Sequence, residues 1–331
     1  MTAPPGQTRG PHRPRFLVVR LALTVLLIWF VVSRIEPRQA AEAIGSSLPW
    51  GLLWVLLLLP VNLGLQWSRW FVLLRAADLP VSARASAAMM FGGFSLGFLT
   101  PGRLGELGRG SLVRGEHDAI AIAGLTVVER SLSLVGGVGV AILAMIIGGY
   151  GNWWKWSLIV LIYSGALWLA LHPPRMVDLL RRVSPLLPAG LRERVTTGAR
   201  RFVQGWHLAG RRATLTALLL SVLQVVVVLL QLTGVYHASG TGAPLLTVLG
   251  AWAVVMGAKY FLPVAVGDIG VRESLAVLVF TDRNLPTAAA VGAALIIYLC
   301  NVLLPALAGT AAVVLGGGRG KPAPQSPSHS P

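Results

Sequence analysis

Long apolar runs alternate with short polar segments along the chain. A helix needs about 20 apolar residues to cross the hydrocarbon core of a bilayer, and each of six runs is close to that length. We therefore expect an all-α polytopic membrane protein. The six predicted spans are Phe16–Ser33, Leu48–Trp67, Ile120–Ile147, Trp153–Leu171, Ala213–Tyr236 and Ala288–Leu315. We expect Arg69, Trp70 and Arg75 to anchor the end of the second span at the cytoplasmic membrane surface.

Two further apolar stretches, Ala83–Leu99 and Leu245–Leu262, end in helix breakers and then in charged residues. Proline removes a helical hydrogen bond, and glycine lets the backbone leave the helical conformation. Both stretches therefore predict a helix that breaks and turns back, which is a re-entrant hairpin. The residues expected to make the breaks are Pro101, Gly102 and Gly105 in the first hairpin and Pro263, Gly267 and Gly270 in the second.

The distribution of arginine sets the expected topology. Residues 173–212 hold nine arginines against only Asp178 and Glu193, so the positive-inside rule places this segment in the cytoplasm. Counting spans from there puts both termini in the cytoplasm and makes the two hairpins open to opposite sides. We expect an inverted repeat of three spans plus one re-entrant hairpin per half, or eight membrane segments in total. Inverted repeats with broken helices are typical of transporters.

The domain organisation follows from the same pattern. We expect one transmembrane domain, residues 16–316, with halves at about 16–148 and 153–316. Within it, residues 173–212 have an apolar stripe flanked by arginines, which is typical of helices that lie in the membrane surface. Residues 1–15 and 317–331 are rich in proline, glycine and serine and are predicted to be disordered cytoplasmic ends.

Composition excludes several classes of protein. Hydrophobic residues make up 55% of the chain and charged residues 12%, against about 25% charged residues in globular domains, which excludes a soluble enzyme. The basic residues that give the chain its net charge of +16 lie beside the apolar runs. In that position they suit contact with anionic lipid rather than with nucleic acid. One cysteine and six scattered histidines predict neither a disulfide nor a metal site, and we expect no cofactor.

Charged residues at membrane depth are the candidates for function, because each costs at least about 2.5–3.5 kcal/mol at a helix centre. Arginine can hold a phosphate through two parallel hydrogen bonds, and a helix that restarts after a break presents N–H groups to an anion. An alternative is that these charges pair internally and only stabilise the hairpins, since Glu106 and Arg109, like Asp268 and Arg272, are spaced to pair. The candidates are Arg103, Glu106, Arg109, Glu129, Arg130, Lys259, Asp268, Arg272 and Glu273.

Four motifs follow one another along the chain: Arg69-Trp70, the element Pro-Gly-x-x-Gly-Glu-x-x-Arg at 101–109, Glu129-Arg130, and Gly-x-x-Gly-x-Arg-Glu at 267–273. In these motifs the chain resembles the transmembrane region of lysylphosphatidylglycerol synthases, also called the flippase-like domain family, over about residues 16–316. The family's late break often has Pro-Gly-Gly, where this chain has Val266-Gly267-Asp268, and the soluble aminoacyl-transferase domain of the full synthases is not evident.

The resemblance implies a flippase-like transporter that moves an anionic phospholipid or a polyprenyl-phosphate-linked lipid between leaflets of the bacterial inner membrane. Lysyl transfer is not implied, and an enzyme is less expected than a transporter. The cations at 103, 109, 130, 259 and 272 would stabilise phosphate, and the carboxylates at 106, 129, 268 and 273 would orient them or carry a coupling proton. Two alternatives stay open: a membrane-embedded transferase acting on a lipid carrier, with Glu106 and Glu129 as acid and base, and a non-catalytic partner in envelope lipid biosynthesis.

Overall fold

The described part of the chain is helical. The computed structural model of the protein describes residues 26, 29–31, 33–34, 37–79, 81–112, 119–147, 161, 163–165, 175, 182, 189–260 and 270–316. The helices within these residues are α1 (Pro37–Ser47), α2 (Trp50–Ala76), α3 (Ala83–Leu99), a 3₁₀ segment (Pro101–Leu112), α4 (Ala119–Ile147), α5 (Ala189–Ala238), α6 (Leu245–Tyr260), α7 (Val271–Asp282), α8 (Thr287–Tyr298), a π-helical segment (Leu299–Leu303) and α9 (Leu304–Gly316).

Four helical stretches among the described residues are long and apolar enough to cross a membrane. This confirms long apolar helices at four of the six predicted spans. The other two, Phe16–Ser33 and Trp153–Leu171, fall mainly outside the described residues. The four stretches are Trp50–Ala76, Ala121–Ile147, Gly205–Ala238 and Thr287–Ala312.

Helix α2 extends further than the hydropathy pattern predicts. The run of uncharged residues ends at Arg69, and the sequence suggested that Arg69 and Trp70 anchor the helix at the membrane surface. That interpretation is wrong, because both side chains are buried inside the protein and the helix continues to Ala76. Leu73 and Leu74 are buried on the same side, so the inward face of the helix continues past the first charge.

Helix α5 joins the arginine-rich segment to the following span. The two parts meet at Gly210, whose φ of 71° and ψ of 169° interrupt the helix. Val203 and Trp206 pack against the apolar core around Trp70, so this end of the segment contacts protein. The interfacial placement of the rest of residues 173–212 stays a prediction.

Helix α3 and the 3₁₀ segment pack against each other at the position of the first predicted hairpin, whose re-entrant placement in the membrane stays a prediction. Helix α3 ends at Leu99, and Thr100 is extended with φ −113° and ψ 142° before the chain turns back at Pro101. At Gly105 a β-carbon would lie 2.2 Å from the carbonyl oxygen of Leu96, so only glycine allows this close approach. The residue of the turn with a left-handed backbone conformation is Arg103, with φ 57°, and not one of the neighbouring glycines.

Two apolar cores surround the site described below. One is formed by α2, α3, α4 and α5 around Trp70, and the other mainly by α5, α6, α7 and α8 around Trp252. Helices α4 and α6 approach closely at Gly137, where a β-carbon would lie 2.3 Å from the Tyr260 ring. The glycines at 136, 137 and 139 therefore let neighbouring helices pack closely.

Candidate functional site

A cavity of about 460 Å³ lies among residues of α2, the 3₁₀ segment and α4 to α8. Its wall collects charged residues from both predicted breaks, so residues far apart in the sequence share one site. Five cations and one carboxylate of the described residues line it, which makes this part of the wall electropositive and suited to an anion. These charged residues are Arg69, Arg103, Glu106, Arg130, Lys259 and Arg272.

Glu129 of α4 connects two arginines behind the cavity wall. Its Oε1 accepts hydrogen bonds from Arg69 Nε at 3.2 Å and Nη2 at 3.0 Å. Its Oε2 accepts one from Arg109 Nη1 at 2.5 Å. The side chains of Arg69 and Glu129 are only 6% and 5% exposed, so a single carboxylate compensates two buried guanidinium groups.

Glu106 of the 3₁₀ segment extends this network to the cavity. Its Oε2 accepts from Arg109 Nη2 at 2.6 Å and contacts Arg130 Nη2, while Arg103 Nη1 lies 3.9 Å from its Oε1. The expected pairing of Glu106 with Arg109 is therefore confirmed. Both of these side chains are 1% exposed.

Arg109 itself does not line the cavity. Its guanidinium carbon lies 4.8 Å from the centre of the Trp70 ring, and two of its nitrogens donate to Glu129 and Glu106. These contacts place Arg109 as a bridge between the two carboxylates rather than as a group that faces a ligand.

Small residues on α3 let the charged 3₁₀ segment pack so closely. A β-carbon at Gly97 would lie 2.8 Å from Glu106 Cγ, and one at Gly93 would lie 2.7 Å from Arg109 Nε. Thr100 joins the two elements, since its hydroxyl donates to Leu96 O at 2.7 Å and accepts from the Gly105 N–H at 2.6 Å. The glycines and Thr100 thus position the charges.

The second break contributes residues at the start of α7. Gly270 precedes the helix with φ 83°, a conformation that favours glycine, and its N–H donates to Glu273 Oε2 at 3.0 Å. Arg272 Nη2 lies 3.7 Å from Glu273 Oε1, and both side chains are 5% exposed. Arg272 lines the cavity, whereas Glu273 lies behind it. Pro263, Gly267 and Asp268 lie outside the described residues, and so does the expected pairing of Asp268 with Arg272.

Of the nine predicted site residues, five line the cavity and three are buried behind its wall. Arg69, a residue that sequence reasoning placed at the membrane surface, belongs to the same network. Sequence reasoning also missed a set of uncharged amides in the wall, although each interrupts an otherwise apolar helix. The amides are Asn62, Gln66, Gln224 and Asn301.

The charges of the described wall suit an anion. Among the described residues no three or more histidine, cysteine or acidic side chains lie together in a way that could hold a metal. The carboxylates of Glu106 and Glu129 instead contact arginines.

Comparison with known proteins supports a family assignment. Residues 17–309 match the model of the family described as the lysylphosphatidylglycerol synthase TM region. A search of curated proteins finds no match.

Proposed function

The chain belongs to the family of lysylphosphatidylglycerol synthase transmembrane regions, and from this premise we propose that it moves an anionic lipid between membrane leaflets. The family suggests a membrane protein of lipid metabolism or transport. The finer proposal is a flippase for an anionic phospholipid or a polyprenyl-phosphate-linked lipid in the bacterial inner membrane, with N- and C-termini in the cytoplasm.

The observation that carries the proposal is the charge of the cavity. Among the described residues that line it, five are cationic and only Glu106 is anionic. This excess of positive charge would attract a lipid phosphate into the cavity, and Arg103 and Arg272 would contact it from the two predicted hairpins.

The arrangement of the hairpins suits movement across the membrane. We take α3 with the 3₁₀ segment, and α6 with α7, as the two re-entrant hairpins of an inverted repeat. Each contributes cations to the same cavity, Arg103 from the first and Lys259 and Arg272 from the second. In transporters built from inverted repeats, the site lies where the two halves meet and opens alternately to either side.

The transferase alternative is less well supported by the geometry. It needs both Glu106 and Glu129 to face the substrate as acid and base. Glu129 does not line the cavity, and both of its oxygens accept hydrogen bonds from arginines. Transport requires no chemical change in the lipid, so mass spectrometry of the lipid after incubation with the protein separates the two functions.

The test is transport by purified protein in vesicles containing a fluorescent anionic phospholipid, with quenching from outside to follow movement between leaflets. The single variant Arg103→Gln and the double variant Arg103→Gln/Arg272→Gln should each lower the rate about ten-fold or more in protein that circular dichroism shows to be folded; the single variant decides if loss of the buried Arg272–Glu273 pair unfolds the double variant. The matched control is Arg75→Gln/Arg283→Gln, which removes two positive charges that do not line the cavity and should leave transport unchanged. Normal transport by the first double variant would contradict the site assignment.

A further inference from the structure

The cavity wall has a second chemistry beside its cations. Within the part of the chain that the structure describes, four uncharged amides line it: Asn62 and Gln66 from α2, Gln224 from α5, and Asn301 from the π-helical segment. A phosphate alone requires positive charge and N–H donors, and it does not require this many side chains that both donate and accept. The amides therefore indicate a second part of the ligand.

The amides are connected to one another and to the cationic end of the site. Asn62 Oδ1 accepts hydrogen bonds from Gln66 Nε2 at 3.1 Å and from Gln224 Nε2 at 3.3 Å. Gln224 Oε1 in turn accepts a long bond from Arg69 Nη1 at 3.5 Å. A ligand whose phosphate lies near the arginines would thus place its next atoms against the amides.

Asn301 has an acceptor that the protein does not satisfy. Its Nδ2 donates to Gln231 Oε1 at 2.7 Å, and its Oδ1 is buried without a hydrogen-bond partner among the described residues. Burying an acceptor without a donor is unfavourable. Asn301 also lies in a π-helical interruption of an otherwise α-helical span, a feature often found at functional sites. Because Asn301 lines the cavity, a turn of its side chain toward the ligand would let a ligand hydroxyl group supply the missing donor.

These observations identify a class of headgroup. Resting on the proposed function, we infer that the cavity binds a lipid phosphate bearing a neutral, multiply hydroxylated group, such as a sugar or inositol. Amides and hydroxyls match because each both donates and accepts hydrogen bonds. An amine on the headgroup would instead meet the five cations of the wall. The volume of about 460 Å³ is within the range of about 300–1,000 Å³ of small-molecule sites, so it suits a headgroup with its tails left in the bilayer.

The test is binding of charge-matched lipids to the purified full-length chain in detergent. Phosphatidylinositol, phosphatidylmethanol and phosphatidylserine each carry a single net negative charge, but only the first has a polyol headgroup and only the last has an amine. We expect phosphatidylinositol to bind about ten-fold more tightly than either of the others, since two or more added hydrogen bonds account for that difference.

Variants of the amide wall identify the residues responsible. Asn301→Leu and, separately, Gln66→Leu should reduce binding of phosphatidylinositol to the level of phosphatidylmethanol and leave phosphatidylmethanol unaffected. The control is Thr310→Val, an exposed polar-to-apolar change in the same helical region as Asn301, which should change neither affinity. If Asn301→Leu fails to fold, Gln66→Leu alone tests whether the amides of the wall bind the headgroup hydroxyls.

The outcomes separate this inference from the proposed function. Equal binding and transport of phosphatidylinositol and phosphatidylmethanol would overturn the inference and leave the flippase proposal standing. Failure to bind or move any anionic lipid would overturn both. A competition assay identifies which kind of lipid carries the phosphate. Displacement of phosphatidylinositol by a polyprenyl-phosphate monosaccharide indicates a polyprenyl carrier, and the reverse displacement indicates a glycerophospholipid.

Discussion

Glu129→Gln is the substitution with the largest predicted effect on stability. The change keeps the shape of the side chain and removes one negative charge. Glu129 is the only carboxylate that contacts Arg69 within 4 Å among the described residues, and it shares Arg109 with Glu106. After the change, Arg69 would face an amide that cannot compensate its buried charge, and Arg109 would keep only its contact with Glu106.

The magnitude follows from the burial of the three groups. Removing one partner of a buried ion pair costs about 3–5 kcal/mol, because it leaves a buried charge without compensation. Glu129 pairs with Arg69, whose side chain is 6% exposed, and with Arg109, whose side chain is 1% exposed. We expect Glu129→Gln to lower the free energy of unfolding by an amount in this range.

The assay is reversible unfolding in mixed detergent micelles, followed by helical circular dichroism. The matched control is Glu42→Gln, which makes the same chemical change in the pair with Arg38. Those side chains are 66% and 88% exposed, and exposed pairs contribute little, so stability should barely change. Equal effects of the two substitutions would refute the claim that the network around Glu129 is buried and compensates charge.

Three further predictions concern the backbone at the breaks. Gly97→Ala should destabilise the protein by about 1–3 kcal/mol, because the added carbon would lie 2.8 Å from Glu106 Cγ. Gly64→Ala, where no atom lies within 4 Å, is the control and should be neutral or stabilising in the same unfolding assay. Gly270→Ala should cost about 1–2 kcal/mol, since the native φ is 83°; an unchanged unfolding midpoint would argue against that conformation. Arg103→Gly should abolish lipid transport without lowering the unfolding midpoint, because its φ of 57° suits glycine better than arginine. A drop in the midpoint would indicate that Arg103 is mainly structural.

Local sequence patterns predicted the helices better than their ends. Hydropathy identified the long apolar helices because twenty consecutive apolar residues have few other stable structures. It misplaced the end of α2, since burial of Arg69 depends on Glu129 and Ser221 from other helices. Helix α3 ended where Pro101 predicted, because proline acts on its own helix and needs no distant partner.

The candidate site was also predicted only as far as local sequence signals allow. The cost of charge in a membrane singled out the charged residues, but it could not divide them between the cavity wall and the layer behind it. That division depends on how three helices meet: Arg109 is buried because Gly93 lets it approach α3 and Trp70 covers its face. The amides escaped notice because a neutral side chain in an apolar helix carries a weaker signal than a charge.

Accessibility of the cavity from both sides of the membrane tests the central claim most directly. In a Cys300→Ser background, single cysteines would replace Leu104, which lines the cavity and is 63% exposed, and Met256 on the opposite hairpin. Leu57→Cys, exposed on the outer face of α2 at 67%, is a lipid-facing control that should not react with a membrane-impermeant thiol reagent. The account predicts that both cavity positions are labelled from either side, and less so when anionic lipid is present. Labelling of each position from one side only would contradict a route across the membrane through this cavity.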